Sequence, residues 1–257
     1  MIAKFFRKVY FLIKVILNKN YFYKIAKSQN NNKENIFLKK ISNKIKNKSF
    51  IEIGFHHLEF NSIGLIKNNF SGILIDGGRK INCFIMKLII FLTDKNVQVK
   101  NYFITKENSI KIINKKKIGC ISIDIDGNDY WIVKEILSNK IFPEIFVVEY
   151  NASFLNFPIT VPYKKNFDRY KFDNTGFYHG ASLKAFIKLF KKFDFKLIKT
   201  IDGVNAIFVN SKFSNLKHLK EISFKDAYEE GVLRNKWSRS TAKDQYKLIK
   251  NLPLKFV

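Results

Sequence analysis

One stretch constrains this chain more than any other: Ile118 to Asn151, IGCISIDIDGNDYWIVKEILSNKIFPEIFVVEYN. Ile118 to Ile125 is almost continuously apolar and rich in β-branched residues, the pattern of a strand covered on both faces. Asp124 and Asp126 close it on the same side, because side chains alternate with a period of two. Gly127 lets the chain turn, and Asn128 or Asp129 is placed to cap a helix. That helix carries Tyr130, Trp131, Val133, Ile136 and Leu137, and it fades at Ser138-Asn139-Lys140 ahead of Pro143. Phe146-Val147-Val148 then opens a second buried strand ending in Glu149-Tyr150-Asn151. Two buried strands joined by a crossover helix form a parallel βαβ unit. Open parallel sheets bind ligands at the carboxyl ends of their strands, which here hold Asp124, Asp126, Glu149 and Asn151.

The same alternation runs through the preceding residues. Phe50-Ile51-Glu52-Ile53-Gly54 reads as a short buried strand, followed by a helix with Phe60, Ile63 and Ile66 at helical spacing. Ile73-Leu74-Ile75-Asp76-Gly77-Gly78 is a second strand with an acid at its end. A long apolar helix from Lys80 to Leu92 leads to a third strand, Val97 to Ile104. After Asn151 the alternation breaks into a long aromatic segment, 152 to 180, with Pro158 and Pro162. A loop of that length in a compact domain is expected to be a lid or substrate wall. Gly180-Ala181-Ser182 starts a helix. Phe195 to Ile201 and Val204 to Val209 then form a hairpin about Asp202-Gly203, so the sheet ends on an antiparallel strand. The fold class is α/β. The chain divides into a basic amphipathic segment and linker (1–49), an α/β domain (50–210) and a helical, irregular extension (211–257) with Trp237 and Tyr246 as expected anchors.

Composition narrows the function classes. The 257 residues carry a net charge of +26, which suggests nucleic acid or an anionic membrane. Yet of 47 basic residues only five are arginine, the side chain that reads phosphates and bases bidentately. Lys, Asn, Ile and Phe share A/T-rich codons, so codon bias accounts for much of the charge, and nucleic acid is not the expected partner. Residues 1 to 17, MIAKFFRKVYFLIKVIL, are too interrupted by charge to span a bilayer. They read as an ordinary amphipathic helix docked on the domain, or as a basic helix on an anionic membrane surface through residues 1–20. Two cysteines, Cys83 and Cys120, lie in apolar runs without zinc or disulfide spacing, which fits a reducing cytoplasm.

The candidate chemistry sits at the strand ends. Glu52, one residue before Gly54, begins a turn in which backbone amides can approach a ligand. Asp76 ends the second strand about twenty residues after Gly54, where an acid meets the ribose of a bound nucleoside, or simply caps Gly77-Gly78. Asp124, Asp126 and Asp129 suit a hard divalent cation, a general base with its supports, or a helix N-terminus; no metal is expected. His179 is a base or substrate contact, or a loop histidine satisfied locally.

These residues carry a resemblance. Ser122 to Trp131, SIDIDGNDYW, resembles a segment of FkbM-type S-adenosylmethionine-dependent methyltransferases, and most closely of methyltransferase-like proteins found with surface-polysaccharide genes. Further segments match in order: Glu52-Ile53-Gly54, Ile75-Asp76-Gly77, Val148 to Ala152, Val161-Pro162-Tyr163, Gly180 to Leu183, Gly203 to Ala206 and Asn251 to Leu254. At His56 and Leu58 the chain departs from the pattern, which has further glycines there. The resemblance spans about residues 50 to 257. It implies a Rossmann-like class I methyltransferase fold: a seven-stranded, mostly parallel sheet in the order 3-2-1-4-5-7-6, helices on both faces, and an antiparallel last strand.

It also implies a cofactor, S-adenosylmethionine, held by Glu52, Gly54 and Asp76 with Asp124 facing the sulfonium. The expected reaction is O-methylation of a glycan or lipid-linked saccharide in surface-polysaccharide biosynthesis. Asp126 would orient or deprotonate the acceptor, helped by His179 and Asn151. The expected location is cytoplasmic or peripheral on the inner face of the membrane. The competing expectation is a non-catalytic methyltransferase-like module held at an anionic membrane in a glycan-assembly complex.

Overall fold

The computed structural model describes residues 10, 13–18, 32–78, 80–113 and 117–257. The remainder of the predicted basic N-terminal segment and linker lies outside the described residues. Seven strands form one mostly parallel sheet, β1 (Ser49–Ile53), β2 (Ser71–Asp76), β3 (Val97–Asn101), β4 (Cys120–Ile123), β5 (Ile145–Glu149), β7 (Phe195–Ile201) and β8 (Asn205–Asn210). Their order is β3-β2-β1-β4-β5-β8-β7. The remaining two strands, β6 (Ile159–Thr160) and β9 (Lys255–Phe256), pair with each other in a separate ribbon. Without that ribbon the order is the expected 3-2-1-4-5-7-6. Strand β8 runs antiparallel to both β5 and β7, so the antiparallel last strand is present. Within the described residues the chain divides into two compact units: residues up to 44 with 48–104, and 45–47 with 105–257.

In the first unit, β1 pairs with β2 and β2 with β3, all parallel. Helices α1 (Asn32–Ile41), α2 (Ile63–Lys67) and α3 (Lys80–Thr93) accompany them. The polar run around residue 32 suggests a linker or loose helix, yet α1 is packed, with Leu38 and Ile41 buried. The reason is local. Asn35 donates to Phe60 O at 3.1 Å and accepts from Gly64 N at 3.0 Å. A Cβ at Gly64 would sit 2.3 Å from Asn35 O, so only glycine lets α2 approach α1 this closely.

The second unit contains α4 (Ser109–Ile112), then β4, α5 (Asp129–Ser138) and β5 as the expected parallel βαβ unit. All four residues of β4 and all five of β5 are buried, as their unbroken apolar runs require. The aromatic segment is packed rather than an open lid. Phe154, Ile159, Val161, Phe177 and Tyr178 cluster with Ile249, and Tyr246 stacks on Phe157 at 5.1 Å. It contains α6 (Arg169–Phe172) and leads into α7 (Leu183–Lys191), capped by Ser182 accepting from Ala185 N at 3.0 Å. The C-terminal extension adds α8 (Phe224–Ala227), α9 (Val232–Ser238) and α10 (Ala242–Ile249), the last opened by a Thr241–Asp244 capping box. Tyr246 anchors as expected. Trp237 does not: it is 74% exposed, because α9 has no buried residue and turns Trp237 outward. Among the described residues no helix is long and apolar enough to cross a membrane.

Glu144, just before β5, is fully buried and binds the short segment 45–47 into this unit. Its carboxylate accepts from Lys46 N at 3.0 Å, Asn47 N at 2.7 Å, Asn47 Nδ2 at 2.9 Å and Asn215 Nδ2 at 2.9 Å. Removing it takes a charge-assisted bond from four partly buried donors. Glu144→Ala is therefore expected to cost about 3 kcal/mol, read as a drop in the urea midpoint; a loss within ordinary surface-mutation scatter would contradict this role.

Candidate functional site

In the first unit the predicted cofactor residues occupy the carboxyl ends of β1 and β2. Gly54 follows β1 with φ of +80° and donates to Ile75 O at 2.8 Å. A positive φ is what glycine provides at such a turn. The chain then doubles back in a tight His56–Glu59 bridge, with His56 exposed and Leu58 half-buried. Glu52 is 1% exposed and turns inward, accepting from Asn61 N at 2.6 Å and Ser62 N at 2.9 Å. Burial outweighs those bonds and pushes its carboxyl up to about 7. Glu52 thus fastens the loop entering α2.

Asp76 is half-buried and uses one oxygen, Oδ2, to accept from Asn82 Nδ2 at 3.1 Å. Among the described residues its Oδ1 has no partner. Asn82 also donates to Phe55 O at 2.6 Å and accepts from His57 N at 2.7 Å, with His57 Nδ1 at 2.8 Å. This one amide therefore holds the first turn and the second-strand acid together. Sequence reading missed it; the signal was a polar residue on the inward face of an otherwise apolar helix. A nucleoside-type ligand would find there a backbone turn that it can approach and an acid able to accept from its hydroxyls.

In the second unit the turn after β4 is built by Asp129. Its carboxylate reaches back to accept from Ile125 N and Gly127 N, both at 2.9 Å, and it is fully buried. Asn128 holds the N-cap position, but its side chain donates to Lys164 O at 2.8 Å instead of capping α5. Burial, then the charge of Glu149, push the Asp129 carboxyl up to about 7. Asp124 lies half-buried just beyond β4. Asp126 stands at φ of +56°, which an aspartate tolerates better than most residues, and its side chain is 57% exposed. Gly180 donates to Gly127 O at 3.1 Å, which sets His179 beside this turn.

Four further side chains converge there. Arg169, from α6, meets Asp126 Oδ1 at 2.5 Å and Tyr170 OH at 2.9 Å. Arg234, from α9, donates to Asn151 Oδ1 at 2.8 Å and meets His179 Nε2 at 3.0 Å. Glu149 Oε1 lies 3.7 Å from Arg234 Nη2 and 3.8 Å from His179 Nε2. Burial works against the Glu149 charge, but the His179 contact and the charges of His179, Arg234 and Arg169 outweigh it and hold the carboxyl down to about 2. Asn151 is spent on structure. It donates to Phe177 O at 2.7 Å and His179 O at 2.9 Å, and accepts from Ser153 N at 3.0 Å besides Arg234. Of the three expected catalytic residues, Asp126 faces solvent, while Asn151 and His179 are each 1% exposed.

Asp126, Glu149 and His179 each offer a ligand atom, all within 4.8 Å of one another, so the set could in principle hold a cation. Two guanidinium groups already neutralise its acids, and a divalent ion would have to displace both. Sequence reading missed Arg169 and Arg234. Their rarity was the available signal, because a chain that uses lysine almost everywhere commits two of its five arginines to this cluster.

No family model matches the chain, and no curated protein matches it. Solved structures are similar at low identity. An O-methyltransferase from Bacillus cereus in complex with SAH is 14% identical, over 77% of this chain and 90% of that one, with a TM-score of 0.48. TrmK of M. capricolum, with S-adenosylhomocysteine, is 15% identical over 79% and 81%, at 0.41. The bifunctional kinase-methyltransferase WbdD is 12% identical over 68% of this chain and 39% of that one, at 0.45. The strand order and register carry the fold; overlays this loose carry nothing further.

The buried acids make stability depend on pH with a definite sign. Glu52 and Asp129 sit near 7 in the fold, above their unfolded values, so from about pH 4 to 7 the native state keeps protons that the unfolded chain releases. Stability then falls as pH rises through that window, by on the order of a few kcal/mol in total, and levels off above it. Glu149, held at about 2, contributes stability that is full above its unfolded value and lost as pH falls towards 2. Urea midpoints are expected to drop between pH 5 and pH 7, with a shallower drop in Glu52→Gln. A flat or rising midpoint in the parent protein would refute the assignment.

Proposed function

We propose that this chain is an S-adenosylmethionine-dependent methyltransferase acting on a hydroxyl of a glycan or lipid-linked saccharide. The observation that carries the reading is the arrangement at the first two strand ends of the 3-2-1-4-5-7-6 sheet. There a positive-φ Gly54 is followed by Asp76, whose carboxylate Asn82 orients while its other oxygen has no partner among the described residues. When bound, the cofactor would supply an activated methyl group on a sulfonium. Asp76 would accept from the ribose hydroxyls, Gly54 would give the ligand close access to backbone, and Glu52 braces the turn from within. Asp124, just after β4, is the residue that the resemblance assigns to the sulfonium.

Asp126 is the acceptor contact. It is the exposed acid of its cluster, and burial of its surroundings and the nearby Glu149 charge raise its proton affinity, against the pull of Arg169. A carboxylate so placed orients an acceptor hydroxyl and takes up its proton as the bond to carbon forms. Because a sulfonium is already a strong methyl donor, positioning supplies much of the rate. His179 and Asn151 act as positioning residues, holding the 177–180 segment against Glu149 and Arg234. The saccharide class rests on the sequence resemblance. Attachment to an anionic membrane through residues 1–20 belongs to the same reading.

Calorimetric titration with S-adenosylmethionine is expected to give binding that Asp76→Ala weakens by about tenfold or more, the value of one lost charge-assisted pair. Asp126→Asn is expected to keep cofactor affinity and slow methyl transfer by about a hundredfold, as loss of a general base does. Absence of any cofactor binding by the folded protein would sink the proposal and leave the non-catalytic module.

A further inference from the structure

Helix α3 of the first unit has an outer face unlike that of an ordinary surface helix. Its inner face, with Cys83, Ile85, Met86, Ile89 and Ile90, is buried. The outward positions should then be polar. Instead Ile81 is 46% exposed, Phe84 61% and Phe91 80%, with half-buried Leu88 between them. The spacing 81, 84, 88, 91 draws one apolar stripe along the helix.

The charges along this helix are positive, and the one acid nearby, exposed Asp94, lies just past its C-terminal end. Lys80 and Lys87 are exposed beside the stripe, the helix contains no acid, and the edge strand β3 adds exposed Lys100. Phe91 and Lys87 also border a groove with Val97 and Val99 of β3. Scattered exposed hydrophobics are normal; a continuous stripe of large ones flanked mainly by lysines is an interaction surface.

We propose that this face of α3 docks on an anionic lipid bilayer, the phenylalanines entering the headgroup boundary and the lysines meeting lipid phosphates. The charge decides between occupants. A second copy of the chain would bring lysines against lysines across a symmetric contact, and with a net charge of +26 each copy repels the other. An anionic bilayer satisfies both halves of the surface at once, burying the rings and pairing the ammonium groups. This site is separate from residues 1–20 and does not depend on the methyltransferase reading.

The test uses the full chain and vesicles of phosphatidylcholine mixed with phosphatidylglycerol, compared with phosphatidylcholine alone. Residues 1–20 are the same in all variants, so their own contribution cancels. Phe84→Ser with Phe91→Ser is expected to lower partition onto the anionic vesicles by at least ~10-fold with unchanged circular dichroism, since both rings are exposed. Lys87→Gln with Lys100→Gln is expected to weaken it by ~10-fold or more and to flatten its salt dependence. Partition equal to the parent in either pair overturns the proposal. So does a sedimentation shift from dimer to monomer in the phenylalanine pair without a change in vesicle binding, which would give the face to a second copy.

Discussion

The turn after β4 depends on one carboxylate. Asp129 reaches back from the first residue of its helix to two amides of the chain just before it, at Ile125 and Gly127. Those amides leave the strand with nothing else to bond, and a buried unpaired N–H costs as much as a lost hydrogen bond. The bonds fix the turn in the form that puts Asp126 at positive φ with its side chain outward. Gly127 O is then presented to Gly180 N, and this contact, with the Asn151 bonds to Phe177 O and His179 O, places the 177–180 segment and His179 with it.

The same economy recurs at the other strand ends. Glu52 secures the loop into α2, and Glu144 secures the segment 45–47. In a chain with 21 acidic residues against 47 basic ones, several of the acids are spent on backbone amides inside the fold rather than on the surplus lysines outside it. Burial raises the proton affinity of Glu52 and Asp129 more than their bonds to N–H groups lower it, which is why both carboxyls sit near neutrality.

Glu149 takes the opposite course. It is buried too, but is held ionised by Arg234 and His179, because a guanidinium's fixed fork can bridge Asn151 and His179 while facing the acid. A lysine could supply the charge but not the geometry. The cluster is thus close to electrically balanced, and what it offers a partner is the single exposed acid, Asp126, with a guanidinium at its side.

Much of this was legible in the residues. Period-two and period-3.6 patterns, with Gly54, Asp76, Gly127 and Ser182 at their boundaries, fixed the element order and the hairpin about Asp202-Gly203, because local periodicity reports which faces are buried. The acids at the strand ends were legible for the same reason. Which of them were consumed by the backbone was not. Glu52 and Asp126 look alike in sequence, and only packing made one 1% exposed and left the other's side chain 57% exposed. Nor could the sequence bring Arg234 to His179, because that contact joins residues 55 apart through a C-terminal helix whose own face is polar. The sequence by itself determined the alternation of strands and helices and the chemistry available at their ends. The tertiary structure alone decided which polar groups met backbone, which met each other and which were left facing outward, because those outcomes depend on burial and on contacts between residues far apart in the chain.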